Sequence, residues 1–388
     1  MSITVCIAPA KTLYYPKGGG HLWVFLNWAL GLRALGCQVI WLEAITGSPS
    51  AEAVREGVAA LKFRLERYGL VNCLALYSPT DDPLPVDATI IGCLDLEAAT
   101  GADLLLEFQY DTPSEIVRRF QRSAVVDLDP GLLQLWISKR QVRMAPHDLY
   151  FTIGETVGQP ESRVPDLGLN WIYTPPCVAL DWWLPHAATI KPTFTTVAHW
   201  YASAWLMDEE ARPDDKRTGF LPFLDMPLFT HHTLELALDL WPEGTAPRAT
   251  AMRLAEQRSI LECRGWRVVD SHMVAPTPWD YQRYIQGSFG EFSCAKPSCL
   301  KLENAWISDR TLCYLASGKP AVVQHTGPSR FLPDSAGLHR FRDLEEASHC
   351  IERVVMDYGN QCTLARNLAE EYFDARKVVG KVLERALS

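Results

Sequence analysis

The sequence predicts an α/β protein built from two Rossmann-like, doubly wound domains that face each other across a cleft. Three observations carry this expectation. At 388 residues the chain exceeds what one hydrophobic core usually organises. Strand-like and helix-like segments alternate through both halves, the pattern of parallel sheets covered on both faces. Between them, residues 158–192 hold six prolines and three tryptophans, a composition suited to an extended, aromatic-packed crossing between domains.

In order along the first half, the β-branched run 3–8 predicts a strand and 21–35 a helix, with Gly36 where a helix C-terminus favours glycine. A second strand at 38–43 completes a βαβ unit. A helix over 51–68 follows, then strands at 72–77, 88–93 and 103–109, a helix over 113–120 and a strand at 123–129. The second half repeats the alternation. Strands are expected at 193–200, 233–240, 266–271, 290–296 and 320–324, and helices over 249–265, 279–288, 308–318, 345–358 and 362–387, with Gly265 and Gly318 closing two of them.

Composition excludes several functions. A net charge of -9, with no Lys/Arg run longer than two residues, argues against a nucleic-acid partner. The eleven cysteines are scattered, and the closest pair, Cys294 and Cys299, has no second pair nearby to complete a zinc site. They read as small apolar residues in a reducing compartment. The start, MSITVCIAPA, lacks the basic and apolar regions of a signal peptide, and no apolar stretch reaches the length of a membrane span. A cytoplasmic protein without a transmembrane segment is expected.

Two segments carry candidate chemistry. YYPKGGGHLW places Gly18, Gly19 and Gly20 after the first strand and His21 at the start of the next helix. A dinucleotide fingerprint, with Glu43 as its ribose acid, is the competing reading, but Trp23 stands where the third glycine must be, which argues against it. His21 reads either as a polar helix-start residue or as a general base facing the cleft, its ordinary pKa suited to taking a proton from a hydroxyl, with Asp111 of the FQYDTPSE loop orienting the ring. Gly20 would let a ligand approach the backbone closely.

The second segment is ISDRTLCYLASGKPAVVQHTG, 307–327. Ser308 is a good N-cap, whereas Arg310 in the first turn opposes the helix dipole unless an anion lies near. Arg310 therefore reads as a diphosphate contact, or as a surface partner of Asp309 or Glu303. Glu291 and Lys296 on a short strand, and Lys216 and Arg217 in the long connection after the domain's first strand, add further donor-side candidates; the basic pair reads equally as a solvated one.

This segment, with GLHRFRDLEEASHCIERVVMDY and ARNLAEEYFDARKVVGKVL, resembles the nucleotide-binding half of bacterial glycosyltransferases of the GT-B fold, over residues 290–387. The first 45 residues resemble the other half, whose GH turn introduces an acceptor-side histidine. The resemblance implies an N-terminal acceptor domain over 1–185, a C-terminal nucleotide-sugar domain over 186–370, and a last helix, 371–388, crossing back to the first. It implies donor contacts from Ser308, Asp309, Arg310, Gln324, His325, Thr326 and Gly327. Two departures stand out: Cys313 occupies the position of the family's ribose-binding glutamate, and His325 that of its acidic sugar contact.

The D-x-D pair Asp127 and Asp129 has the spacing of a metal clamp, but the nucleotide-like pattern lies in the other half, so the chemistry is expected to need neither metal nor cofactor. The reading is transfer of a sugar from a nucleotide-diphosphate donor to a hydroxyl acceptor that the sequence does not name. A sugar-nucleotide epimerase of the same architecture and an inactive nucleotide-sugar binder are the alternatives.

Overall fold

The structure is a computed structural model that describes residues 2–80, 82–187, 192–201, 213–241, 247–334 and 336–388. It divides into two compact units, Met1–Ala179 with Phe373–Ser388, and Leu180–Tyr372. The first unit begins as the sequence leads one to expect, with β1 (Thr4–Ala8), α1 (Gly19–Ala34), β2 (Gln38–Ala44), α2 (Ala51–Arg67) and β3 (Leu74–Tyr77). It continues through α3 (Leu96–Thr100), β4 (Leu104–Glu107), α4 (Ser114–Val117), β5 (Ser123–Asp127), α5 (Leu132–Ser138), β6 (Leu149–Thr152) and β7 (Trp171–Tyr173). The seven strands lie in the order β3-β2-β1-β4-β5-β6-β7, every pairing parallel. β3, β4 and β5 are buried at every position, which is why their centres read as apolar, while Glu107 and Asp127 close β4 and β5 as buried carboxylates.

The expected strand at 88–93 is a series of turns instead. Asp87 captures both the N–H and the hydroxyl of Thr89, at 2.8 and 2.7 Å, and Gly92 turns into the left-handed region. Local side-chain bonding thus outcompetes the apolar run. β6 and β7, which the sequence reading leaves unassigned, extend the sheet, and β7 takes its residues from the proline-rich segment read as a crossing.

The second unit holds β8 (Thr193–Ala198), α6 (Lys216–Phe220), β9 (Thr233–Leu238), α7 (Arg248–Glu262), β10 (Arg267–Asp270), α8 (Ser271–Val274), α9 (Pro278–Gln286) and β11 (Gly290–Ser293). Then come α10 (Pro297–Leu302), α11 (Asp309–Ala316), β12 (Ala321–Gln324), β13 (Leu338–Phe341), α12 (Leu344–Met356) and α13 (Tyr358–Tyr372). Its sheet is again wholly parallel, in the order β10-β9-β8-β11-β12-β13. The core is aromatic: Phe194, Trp200, Phe220, Phe223, Trp266, Phe292 and Phe341 are all buried. Trp171 and Trp183 are likewise buried, so these tryptophans pack; Trp205 lies outside the described residues.

The single terminal helix expected over 362–387 is two. Phe373 and Asp374 break it, Asp374 accepting from the Arg376 N–H at 3.0 Å as the N-cap of α14 (Ala375–Leu387). α14 belongs to the first unit. It packs on α1 at Gly31, where a Cβ would meet Ala375 and Val379 at 3.0 Å.

Candidate functional site

In the second unit the strand order reverses between β8 and β11, and beyond their C-terminal ends lies the crevice where doubly wound sheets bind ligands. Five elements deliver side chains there: β8 ends before His199 and Trp200, β11 before Cys294 to Lys296, β12 before His325 to Gly327, and α6 and α11 begin at Lys216 and just after Ser308.

Arg310 is held by the protein's own groups. Its Nε donates to Glu291 Oε1 at 2.8 Å, Nη1 to the Val197 carbonyl at 3.0 Å and Nη2 to Ser293 Oγ at 2.7 Å. Glu291 is fully buried in β11 beneath it. The expected diphosphate contact is therefore a buried strut that ties α11 to both strands flanking the reversal, and its partner is Glu291, not Asp309 or Glu303. The same geometry removes Glu291 from the list of donor contacts.

Lys216 stands out. Far from being solvated, it is buried at the first position of α6, its Nζ donating to the Cys294 carbonyl and lying 5.9 Å from the Trp306 ring centre. Burial pushes its amine down to about 7, and the nearby Arg310 charge adds to the shift. Asp215 caps the helix by accepting from Thr218 N–H at 2.8 Å. Gly219 then lets α6 press against the Ala295 carbonyl, a place no Cβ fits. Arg217 is turned the other way, to Gln257 on α7 at 2.9 Å.

Lys216, Ser308, Arg310, Gln324 and Thr326 line one small cavity of about 20 Å³, room for a single water. Gln324 and Thr326 serve it as braces: Gln324 Oε1 accepts from Ala295 N–H at 3.0 Å, and Thr326 Oγ1 donates to the Trp306 carbonyl at 2.6 Å. Ser308 accepts from Arg310 N–H as the N-cap of α11. Gly327, with φ +118°, is required because a Cβ would lie 2.6 Å from the Glu303 carbonyl oxygen. His325 accepts from Gly327 N–H at 3.1 Å, and burial together with Arg340 and Arg342 lowers its pKa. Lys296 stands at the N-cap position of α10, without a side-chain capping bond, rather than in the strand; Asp309 is half-buried in the first turn of α11, and Cys313 is buried.

The sequence reading misses a pair at this edge. His199 Nδ1 and Asp239 Oδ2 are 2.9 Å apart, immediately after β8 and β9. The available signal is that two neighbouring strands end in AHW and LDLW.

In the first unit, α1 starts at Gly19 with Gly18 as N-cap, so Gly20, expected ahead of the helix, lies in its first turn with His21. His21 Nε2 is 2.6 Å from the Ala10 carbonyl, which accepts its proton. Asp111 is exposed at its residue surface; desolvation of its carboxyl raises the pKa, Lys11 opposes this and Glu107 reinforces it. Below it, buried Glu107 accepts from Thr112 N–H at 2.9 Å and meets His147 at 2.8 Å, anchoring the loop that carries Asp111. Asp127 of the D-x-D pair is buried, with both oxygens occupied by Gln134, Thr152 and the Asp129 N–H. Burial pushes its carboxyl up to about 7, as it does that of Glu43 at the end of β2. Among the described residues, no group of three or more His, Cys, Asp or Glu side chains is placed to hold a metal ion, and no helix is long and apolar enough to cross a membrane.

Two parallel, doubly wound units, with the last helix returned to the first, define the GT-B class of fold. Solved glycosyltransferases share it over nearly the whole chain. The crystal structure of Anabaena Alr3699/HepE with UDP and glucose superposes with a TM-score of 0.56 at 11% identity, covering 99% of each chain. An alpha-glucosyltransferase with UDP-glucose and DNA containing an abasic site gives 0.59 at 11%, covering 100% of each. Sucrose-phosphate synthase from Thermosynechococcus elongatus gives 0.54 at 12%, covering 99% of this chain and 98% of that one. No protein-family model matches the sequence, and no curated protein matches it significantly.

Proposed function

We propose that the protein transfers a sugar from a nucleotide-diphosphate donor to a hydroxyl acceptor, and that the donor diphosphate sits at the C-terminal edge of the second sheet. The observation that carries this is Lys216: an amine held buried at the strand-order reversal, its charged form disfavoured by burial and by Arg310, is poised to be charged by an arriving anion. Structures of like fold with bound UDP or UDP-glucose support the donor class. In this reading Lys216 and Lys296 neutralise charge on the leaving diphosphate without a metal or other cofactor. Gly20, Ser308, Asp309, Gln324, His325, Thr326 and Gly327 shape the donor's surroundings, and His21 takes the acceptor's proton with the Ala10 carbonyl, rather than the expected Asp111, orienting its ring at Nε2. Arg217 joins the site only by leaving Gln257. The DNA in one neighbour is that protein's ligand; a net charge of -9 makes a non-nucleic-acid acceptor the reading here.

The test is titration of UDP, GDP, ADP and dTDP by calorimetry, with a panel of their sugars assayed for released nucleotide. At least one is expected to bind, to weaken about tenfold or more in Lys216→Met, and to yield free nucleotide from its sugar. An altered sugar with nucleotide attached marks the epimerase, and binding with no release marks the inactive reading.

A further inference from the structure

The unassigned pair at the ends of β8 and β9 has the geometry of an oriented acid. β8 and β9 run in register to Ala198 and Leu238, so the residues that follow, His199 and Asp239, leave the sheet side by side. Asp239 Oδ1 accepts from the Trp200 N–H at 2.7 Å, and Oδ2 takes the His199 Nδ1 proton at 2.9 Å. The carboxylate is thereby fixed from two sides and fixes the ring in turn. With Nδ1 committed, Nε2 is the nitrogen left to do chemistry, and the His199 side chain is 66% exposed against 25% for Asp239. The Asp239 bond raises the His199 pKa while partial desolvation and Lys296 lower it; for Asp239 itself, burial pushes upward, and the bond and charge of His199 together with the backbone N–H bonds bring the net shift down. The pair thus favours an imidazolium whose Nε2–H is a donor. Its charged surroundings are Asp239 beyond β9 and Lys296 ahead of α10, with Lys216 on α6 and Arg310 on α11 at the same strand ends.

We propose that His199 is a catalytic acid of the transfer, delivering its Nε2 proton to the departing diphosphate, and that Asp239 is its positioning residue; this rests on the donor being held at this edge. As the bond from the sugar anomeric carbon to the diphosphate oxygen breaks, both electrons go to that oxygen, which takes the Nε2 proton. The acceptor oxygen forms the new bond to the same carbon and gives up its own proton to a base or to water. His199 is left as neutral imidazole, still donating from Nδ1 to Asp239, and regains its proton from solvent. A pair serving only to join two strand ends would not need an exposed ring, since the Trp200 N–H bond already holds Asp239 in place.

The experiment uses the full chain and the variants His199→Gln and Asp239→Asn. UDP, GDP, ADP, dTDP and inorganic pyrophosphate are titrated by calorimetry, the His199 imidazole ¹⁵N signals are followed against pH, and turnover is measured on the matching donor sugars. A bound diphosphate is expected to shift Nε2 and raise its pKa. His199→Gln is expected to lower kcat about a hundredfold or more with KM little changed. Activity that needs imidazolium falls as pH rises through the His199 pKa, so Asp239→Asn, which removes the charge holding that pKa up, should move this limb to lower pH. A bound diphosphate that leaves Nε2 unmoved, or full kcat in His199→Gln, overturns the acid role and leaves the donor site standing. If no probe binds and no nucleotide is released, the donor reading fails and the role of His199 fails with it.

Discussion

Arg310 Nε lies 2.8 Å from Glu291 Oε1, one of three protein bonds that hold the guanidinium against both strands at the order reversal of the second sheet. Removing one member of such a buried pair strands the other's charge. Arg310→Ala should therefore cost about 3–5 kcal/mol of folding stability, read by chemical denaturation. Nucleotide affinity, measured at a temperature where the variant remains folded, should change far less than in Lys216→Met. A well-folded Arg310→Ala with normal stability and no nucleotide binding would return Arg310 to the ligand.

Lys216 gives the second unit a distinct pH signature. Its folded pKa, near 7, lies below the unfolded value of 10.5, so between these the unfolded chain holds more protons and stability rises with pH. Below about 7 the buried charge is a full penalty. Lys216→Met should gain on the wild type as pH falls from about 9 to about 7, by about 2 kcal/mol at most. A diphosphate beside the amine favours its charged form, so binding should take up a proton above neutral pH. Calorimetry in buffers of different ionisation enthalpy reports that uptake; its absence places the diphosphate elsewhere.

Gly219 links backbone to site. A Cβ there would enter the Ala295 carbonyl, so Gly219→Ala must push α6 away from the β11 loop and draw Lys216 off Cys294. A stability loss of about 1–3 kcal/mol is expected from the overpacking, with weakened nucleotide binding in the folded fraction. Unchanged affinity would separate the position of α6 from the ligand.

These cases show what was legible in the sequence. The alternation of strands and helices was readable because buried parallel strands are mostly apolar, and helix ends at Gly36, Gly265 and Gly318 were marked by glycines that do adopt positive φ. β6, β7 and β13 have three or four residues each, too few for a period to show, and α6 is a single turn and a half set by its Asp215 cap. The site was legible as residue types at strand ends, not as pairings. Arg310 and Glu291 are 19 residues apart and His199 and Asp239 are 40, so only sheet register and helix packing decide that the first pair turns inward and that the second exists.

The glycine triplet and His21 supply the last prediction. Gly18 caps α1 and the ring of His21 is held between Tyr15 and Phe25, at centroid distances of 4.7 and 5.3 Å, with Nε2 donating to the Ala10 carbonyl. At this nitrogen the orienter is a backbone carbonyl rather than Asp111, and a base would have to work through Nδ1. Gln at this position retains a donor for Ala10 and has no basic nitrogen. His21→Gln should thus fold normally and keep nucleotide affinity, because every proposed donor residue but Gly20 belongs to the second unit, while losing about a hundredfold to ten-thousandfold in kcat. Asp111→Asn should lose much less if the Ala10 bond alone sets the ring. Full turnover in His21→Gln, with an acceptor that reacts with the wild type, would leave His21 as the residue that fastens the start of α1 to the end of β1, and the acceptor's proton would have to leave by another route.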